Sequence, residues 1–292
     1  MAQSIGEADA AHLKSWIGRT ETVTDLIVPA QAEAMAATID REGPPPGAGD
    51  PLPPLWHWLY FMPRVRRSLL GRDGHPALGG FLPPVGLPRR MWAGSRLTFA
   101  APLLIGRSAE MKNTVADVAV KSGKTGPLVF VTVRHDVAQD GRFRLCEEHD
   151  IVYRDYDRPG APGPRPRPAP ATPEFSETVT PDPVLLFRYS ALTFNGHRIH
   201  YDRSFCTGQE GYPGLVFHGP LTATLLAELV QKRNPGARMT AFSFRAVSPL
   251  YDTAPFTIHG CKTPQAGDGA YTLWALTPEG ALAMQAEATL AA

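Results

Sequence analysis

The sequence predicts an α+β protein of two related halves, each an antiparallel sheet packed on helix, and three observations carry that expectation. Proline occupies seven of the fifteen positions from Pro159 to Pro173. Such a run supplies no sheet hydrogen bonds and continues no helix, so it reads as a semi-rigid linker (159–173) between residues 1–158 and 174–292. On both sides the same order recurs, an early helix and then several long strands. In the second half Gly219 opens the longest helical pattern in the chain, and four strand patterns follow it.

In the first half, Pro29 suits the first turn of a helix through AQAEAMAATID, and Gly43 to Pro54 is a proline- and glycine-dense loop. The aromatic patch WHWLYF, residues 56 to 61, reads as a core strand in preference to a ligand-lining surface. Leu128 to Val137 places Val129, Val131 and Val133 on one face, and an Asp140-Gly141 turn joins it to a strand from Phe143 to Tyr153. The acidic run Glu147, Glu148, His149, Asp150 reads as the wet side of that strand and receives no chemistry.

In the second half, Val184 to Tyr189 reads as a strand entering a polar cluster. Pro220 to Lys232 carries Leu221, Leu225, Leu226, Leu229 and Val230 at helical spacing, and Pro235-Gly236 ends it. Strands are expected at Met239 to Val247, Phe256 to Cys261, Tyr271 to Leu276 and Ala281 to Leu290, with a turn at Gly267 to Gly269.

Composition excludes several classes. The 29 basic and 28 acidic residues leave no electrostatic footprint for nucleic acid. Cys146, Cys206 and Cys261 are odd in number and lack CxxC spacing, which predicts neither a disulfide framework nor a zinc site and fits a reducing compartment. The first residues show no targeting pattern, and no stretch approaches the roughly 20 apolar residues of a membrane span. A cytoplasmic protein without membrane attachment is expected. Gly123-Lys124-Thr125 lacks the glycine that a phosphate loop requires five positions earlier, where Val118 stands. GxSxG, HExxH and a strand-following GxGxxG are absent as well.

The stretch YSALTFNGHRIHYDRSFCTGQEGYPGLVFHGPLTATLL, Tyr189 to Leu226, is the candidate site. His200 is the expected proton carrier, because imidazole titrates near neutrality and a positioned histidine contributes about 100- to 10,000-fold. Asn195 stands five residues before it, and Asp202 two after, where it could orient the imidazole. Gly219 opens a helix whose free N–H groups and positive end suit an oxygen that becomes negative. His197, His200 and Asp202 make a poor metal set, so no metal is expected.

FNGHRIHYD followed by GYPGLVFHGPL resembles the MaoC-like (R)-hydratase (hydratase 2) group of the hot dog fold. Its pattern is Asp-x-Asn-Pro-aliphatic-His-x-Asp, then a glycine-aromatic turn and a His-Gly helix start. Ile199, His200 and Asp202 match; Asn195 stands where the family's catalytic Asp is expected, and His197 and Arg198 replace Asn-Pro. These departures are similar to the branch of 3-methylfumaryl-CoA (mesaconyl-C4-CoA) hydratases and type 2 hydroxyacyl-thioester dehydratases, as is KSGKTGPLVFVTVRHD in the first half.

The resemblance implies a double hot dog, each half a sheet around a long central helix. The first half would be degenerate and help hold acyl-CoA, and the second would be catalytic. It implies cofactor-free hydration of a 2-enoyl-CoA by His200, Asn195 and Gly219, most specifically of mesaconyl-C4-CoA or the related itaconyl-CoA. Arg198 and Arg245 are the candidates for a substrate carboxylate, with Tyr212 and His218 as further substrate contacts. The rivals are a 3-hydroxyacyl-thioester dehydratase of fatty-acid synthesis and a non-catalytic acyl-CoA-binding subunit, the latter motivated by Asn195. A homodimer of such chains is compatible with the fold.

Overall fold

The computed structural model describes residues 6–123, 126–156 and 165–291. Ten strands form one antiparallel sheet: β1 (Thr20–Leu26), β2 (Arg89–Phe99), β3 (Ser108–Gly123), β4 (Gly126–Gln139), β5 (Arg142–Arg154), β6 (Phe175–Val179), β7 (Arg238–Ala246), β8 (Phe256–Lys262), β9 (Ala270–Leu276) and β10 (Leu282–Ala291). Their order across the sheet is β1-β3-β4-β5-β2-β7-β10-β9-β8-β6. Read inward from each edge, the five first-half strands and the five second-half strands follow the same path. The duplication suspected from element order is therefore a duplication of topology.

The halves meet where β2 pairs with β7, Gly94 opposite Arg245 and Leu97 opposite Phe242. A Cβ on residue 94 would lie 2.2 Å from the Phe244 carbonyl oxygen, so only glycine lets the strands close here. Gly94→Ala is expected to lower stability by about 1–3 kcal/mol, the usual cost of overpacking, read as a shift in the urea midpoint. The Asp140-Gly141 hairpin has φ of 54° and 69°, the left-handed pair that a two-residue turn between twisted strands demands.

Each half places a ten-residue helix after its first strand, α2 (Pro29–Thr38) and α3 (Pro183–Leu192), and the two helices pack together. Residues 184 to 189 are thus helical, correcting the strand expected there. A short apolar run does not distinguish strand from helix by period alone. The Asp182 carboxylate decides, accepting from the Val184 and Leu185 N–H groups as an N-cap with Pro183 in the first turn.

The long helix α5 (Gly219–Arg233) lies across β7 to β10 and buries Leu221, Leu226, Leu229 and Val230. Its first-half counterpart is absent among the described residues, where no helix exceeds ten residues: α1 (Glu7–Lys14) has eight. WHWLYF is no strand either. Trp56–Leu59 forms a 3-10 turn, flanked by Leu55 at φ 70° and Phe61 at φ 57°, and its side chains join the main core.

Glu147 corrects the reading of its run as solvent-facing. It is 2% exposed, and its carboxylate accepts from Trp58 Nε1 (2.8 Å) and Ser95 Oγ (2.6 Å) and pairs with His57 Nε2 (3.1 Å). Burial opposes its charge, but the His57 hydrogen bond outweighs it and holds the carboxyl well below the usual carboxylate range.

Of the proline-rich segment, residues 157–164 lie outside the described set. Its later part lies along the second half, where the Leu282 N–H donates to the Arg167 carbonyl. No described helix is long and apolar enough to cross a membrane.

Candidate active site

The 3-10 turn Arg198–His200 and the helix α4 (Arg203–Gly208) hold the polar cluster. Segment 211–218 returns beside them: the Val216 N–H donates to the Ile199 carbonyl, and the Val216 carbonyl accepts from His200 Nδ1 at 2.7 Å. That second bond leaves His200 Nε2 as the nitrogen free to take a proton. His200 is 8% exposed, and burial pushes its pKa down to about 4, so the ring is neutral at pH 7.

His218 stacks flat on His200, with centroids 3.7 Å apart and planes 17° apart, and its Nε2 meets Ser190 Oγ at 2.9 Å. His218 is fully buried and supports the His200 ring by stacking on it. Ser190 was missed by sequence reasoning. Its signal, one apolar-flanked serine in α3, is legible only once that segment is known to be helical.

Gly219 begins α5, and Pro220 follows it without an N–H to offer. Apart from its chain neighbours and its own helix backbone, no protein atom would come within 4 Å of a Cβ at Gly219, so open space adjoins the helix start. A thioester oxygen placed there would meet the Gly219 N–H and the positive end of a 15-residue helix. Asn195 is half-buried and its Oδ1 accepts from the His197 N–H at 3.0 Å, so its side chain shapes the turn that aims His197.

The first half completes the cluster. Loop 71–75 docks on the motif through the Arg198 N–H to the Asp73 carbonyl at 2.9 Å, and Gly74, at φ 89°, approaches Gly196 so closely that a Cβ would lie 1.9 Å from its carbonyl oxygen. This brings the Asp73 carboxylate to His75 Nδ1 (2.8 Å), His75 to within 4.0 Å of His197 between ring centroids, and His197 to 5.4 Å from His200. Asp73, His75 and His197 offer ligand atoms within 4.8 Å of one another, a set able to hold a metal ion that spacing along the chain does not assemble. Burial lowers the pKa of both His75 and His197. No sequence signal pointed to residues 73 and 75.

The expected carboxylate partners lie elsewhere. Arg198 pairs with Asp202 (2.8 Å), donates to the Arg72 carbonyl and covers the Phe205 ring. Asp202 in turn caps α4 by accepting from the Phe205 N–H, so it does not orient His200. Arg245 is exposed on β7, on the face opposite the buried Phe244. Tyr212 does line the cleft, which has a volume of about 390 Å³ and opens between the halves, with Asp73, His75, Arg90, Tyr153 and His197 among its walls.

Burial holds His200, His218 and the half-buried His149 below the usual histidine range, the last pushed down to about 3. The unfolded chain therefore binds protons that the folded one refuses once pH drops below about 6.5. Stability is expected to be fully present above pH 7 and to fall as pH descends from about 6.5 through 4, checked by melting temperature across that range. Activity limited by neutral His200 should keep its acid limb near pH 4 to 5, well below the ordinary histidine value.

Residues 55–252 match the model of the family Hydroxyacyl-thioester dehydratase type 2. The mesaconyl-C(4)-CoA hydratase of Chloroflexus aurantiacus is 48% identical over 284 residues, covering 96% of this chain and 99% of that protein. The mitochondrial hydroxyacyl-thioester dehydratase type 2 of Schizosaccharomyces pombe is 30% identical over 230 residues, covering 71% and 77%. Among solved structures, a MaoC-like dehydratase from Phytophthora capsici superposes with a TM-score of 0.69 at 14% identity, covering 97% of each chain. A conserved hypothetical protein of Mycobacterium tuberculosis described as a double hotdog fold gives 0.56 at 13% identity, covering 94% and 96%.

The fold is a double hot dog, and the chain belongs to the type 2 hydroxyacyl-thioester dehydratase family. It is a hydro-lyase of the MaoC-like kind.

Proposed function

We propose that the protein hydrates a branched, carboxylate-bearing C5 enoyl-CoA, mesaconyl-C4-CoA, to citramalyl-CoA, and catalyses the reverse dehydration. The observation that carries this reading is His200, neutral and oriented by the Val216 carbonyl, in a chain 48% identical over 284 residues to a mesaconyl-C(4)-CoA hydratase. His200 Nε2 takes a proton from water as the water oxygen bonds to the carbon β to the thioester. The alkene electrons pass to the thioester oxygen, which the Gly219 N–H and the α5 dipole stabilise. The imidazolium, destabilised by burial, then returns the proton to the α carbon.

Asn195 has no acidic proton and helps by positioning the turn and, through its amide, the water. The chemistry requires no redox cofactor. The substrate partner is a CoA thioester, and a cytoplasmic site of action accords with three buried, unpaired cysteines. The test is loss of enoyl-thioester absorbance on mixing protein with mesaconyl-C4-CoA. Turnover of long-chain 2-enoyl thioesters in preference would instead favour the fatty-acid dehydratase reading, which the 30%-identical S. pombe relative supports.

A further inference from the structure

We infer that Arg90, on the first half's β2, is the subsite for the carboxylate at the far end of the acyl group, and that the degenerate half therefore sets substrate choice. The inference rests on the proposed hydration of a diacid thioester and deepens it.

Arg90 pairs with Tyr153 of β5 and stands two residues before Trp92, on the same face of β2. Trp92 is stacked on His149 at 3.9 Å, so this face looks into the interior of the first half. Arg90 is half-buried, lines the cleft with His75, His197 and Tyr153, and has no hydrogen bond or ion pair among the described residues. The other arginines near the site are engaged: Arg198 with Asp202, Arg203 with Asp252, Arg89 with Glu210 and Arg72 with Gln209. Taking a guanidinium partly out of water without a partner is costly, and a bound anion removes that cost.

The surroundings select an anion. The two carboxylates of the cleft walls are already engaged, Asp73 by a hydrogen bond with His75 and Glu210 by an ion pair with Arg89. The Arg90 charge bears on both His75 and His197, so its guanidinium is a positive group close to these imidazoles. Leu78, Val85, Leu87 and Tyr153 supply apolar wall, where a charge pair is screened less than in water.

The chemistry of the substrate also bears on the position. In mesaconyl-C4-CoA the free carboxylate sits on the carbon that receives water, so its partner must lie near the acid-base group. His197 connects the two regions, lining the cleft together with Arg90 and lying 5.4 Å from His200. A guanidinium holds a carboxylate by two parallel hydrogen bonds, which lysine cannot reproduce.

The test compares kcat/KM for mesaconyl-C4-CoA and crotonyl-CoA in wild type, Arg90→Met and Arg90→Lys, with melting temperatures to establish that both variants fold. Both thioesters carry the same CoA phosphates and only one has the carboxylate. The expected result is a fall of about 30- to 1,000-fold in the diacid-to-crotonyl ratio for Arg90→Met, and a smaller fall for Arg90→Lys. An unchanged ratio, including an equal loss on both substrates as at a phosphate subsite, overturns the assignment. Wild type that hydrates crotonyl-CoA and ignores mesaconyl-C4-CoA overturns the underlying functional reading instead.

Discussion

Replacing His200 with alanine lowers kcat for hydration by about 100- to 10,000-fold, the range a positioned general acid-base supplies. Two features of the geometry put the effect at the chemical step. His200 Nδ1 is fixed by the Val216 carbonyl, and no second group near it duplicates an unhindered Nε2 with the same anchoring. His197 is 5.4 Å away edge-on, and His218 is fully buried with its Nε2 on Ser190. KM should move far less than kcat, because the thioester binds through the cleft and the α5 start. Steady-state kinetics on folded variant check this, and near-full activity in His200→Ala would remove the histidine from the mechanism.

The second large effect is on stability. Glu147→Ala is expected to cost about 3–5 kcal/mol, since each buried hydrogen-bonding group left without its partner costs about 1–3 kcal/mol. The substitution strands the Trp58 Nε1–H, the Ser95 hydroxyl and the His57 ring, all bound to one carboxylate. Trp58 in turn packs on Trp92 at 5.0 Å and on Phe244 at 6.1 Å, across the junction between the halves. At about 2–4 °C per kcal/mol the melting temperature should fall by roughly 10 °C. A change under 1 kcal/mol would show that the network contributes nothing, and Glu147→Gln, which keeps one acceptor, should lose less.

What was legible in the sequence was what is local. The segments around His200 and Gly219 are contiguous, rich in turn residues and closed by a helix start, so the second-half part of the site could be read from Asn195 to Leu221. Six of the ten strands, β4, β5 and β7 to β10, were legible from apolar pattern and turn signals such as Asp140-Gly141, whereas β1, β2, β3 and β6 were not. What escaped was long-range. Asp73, His75 and Arg90 reach the site from a loop and a strand more than a hundred residues earlier, and nothing periodic marks them.

Other misses had local remedies. Asp182-Pro183 before an apolar run is a helix-start signal, and Arg198 with Asp202 has the spacing of a helical ion pair, which argues for mutual neutralisation over a free guanidinium. Glu147 was misread because a carboxylate on a strand is normally wet. Its burial follows from the Trp56–Leu59 turn, which covers that face of the sheet and brings His57 and Trp58 onto the carboxylate.

The most direct test of the central claim is the decay of enoyl-thioester absorbance when purified protein meets mesaconyl-C4-CoA, with crotonyl-CoA and a long-chain 2-enoyl-CoA in parallel. Hydration of the C5 diacid thioester with the highest kcat/KM of the three is the predicted result. Preference for the long chain, or binding of all three without turnover, would contradict it.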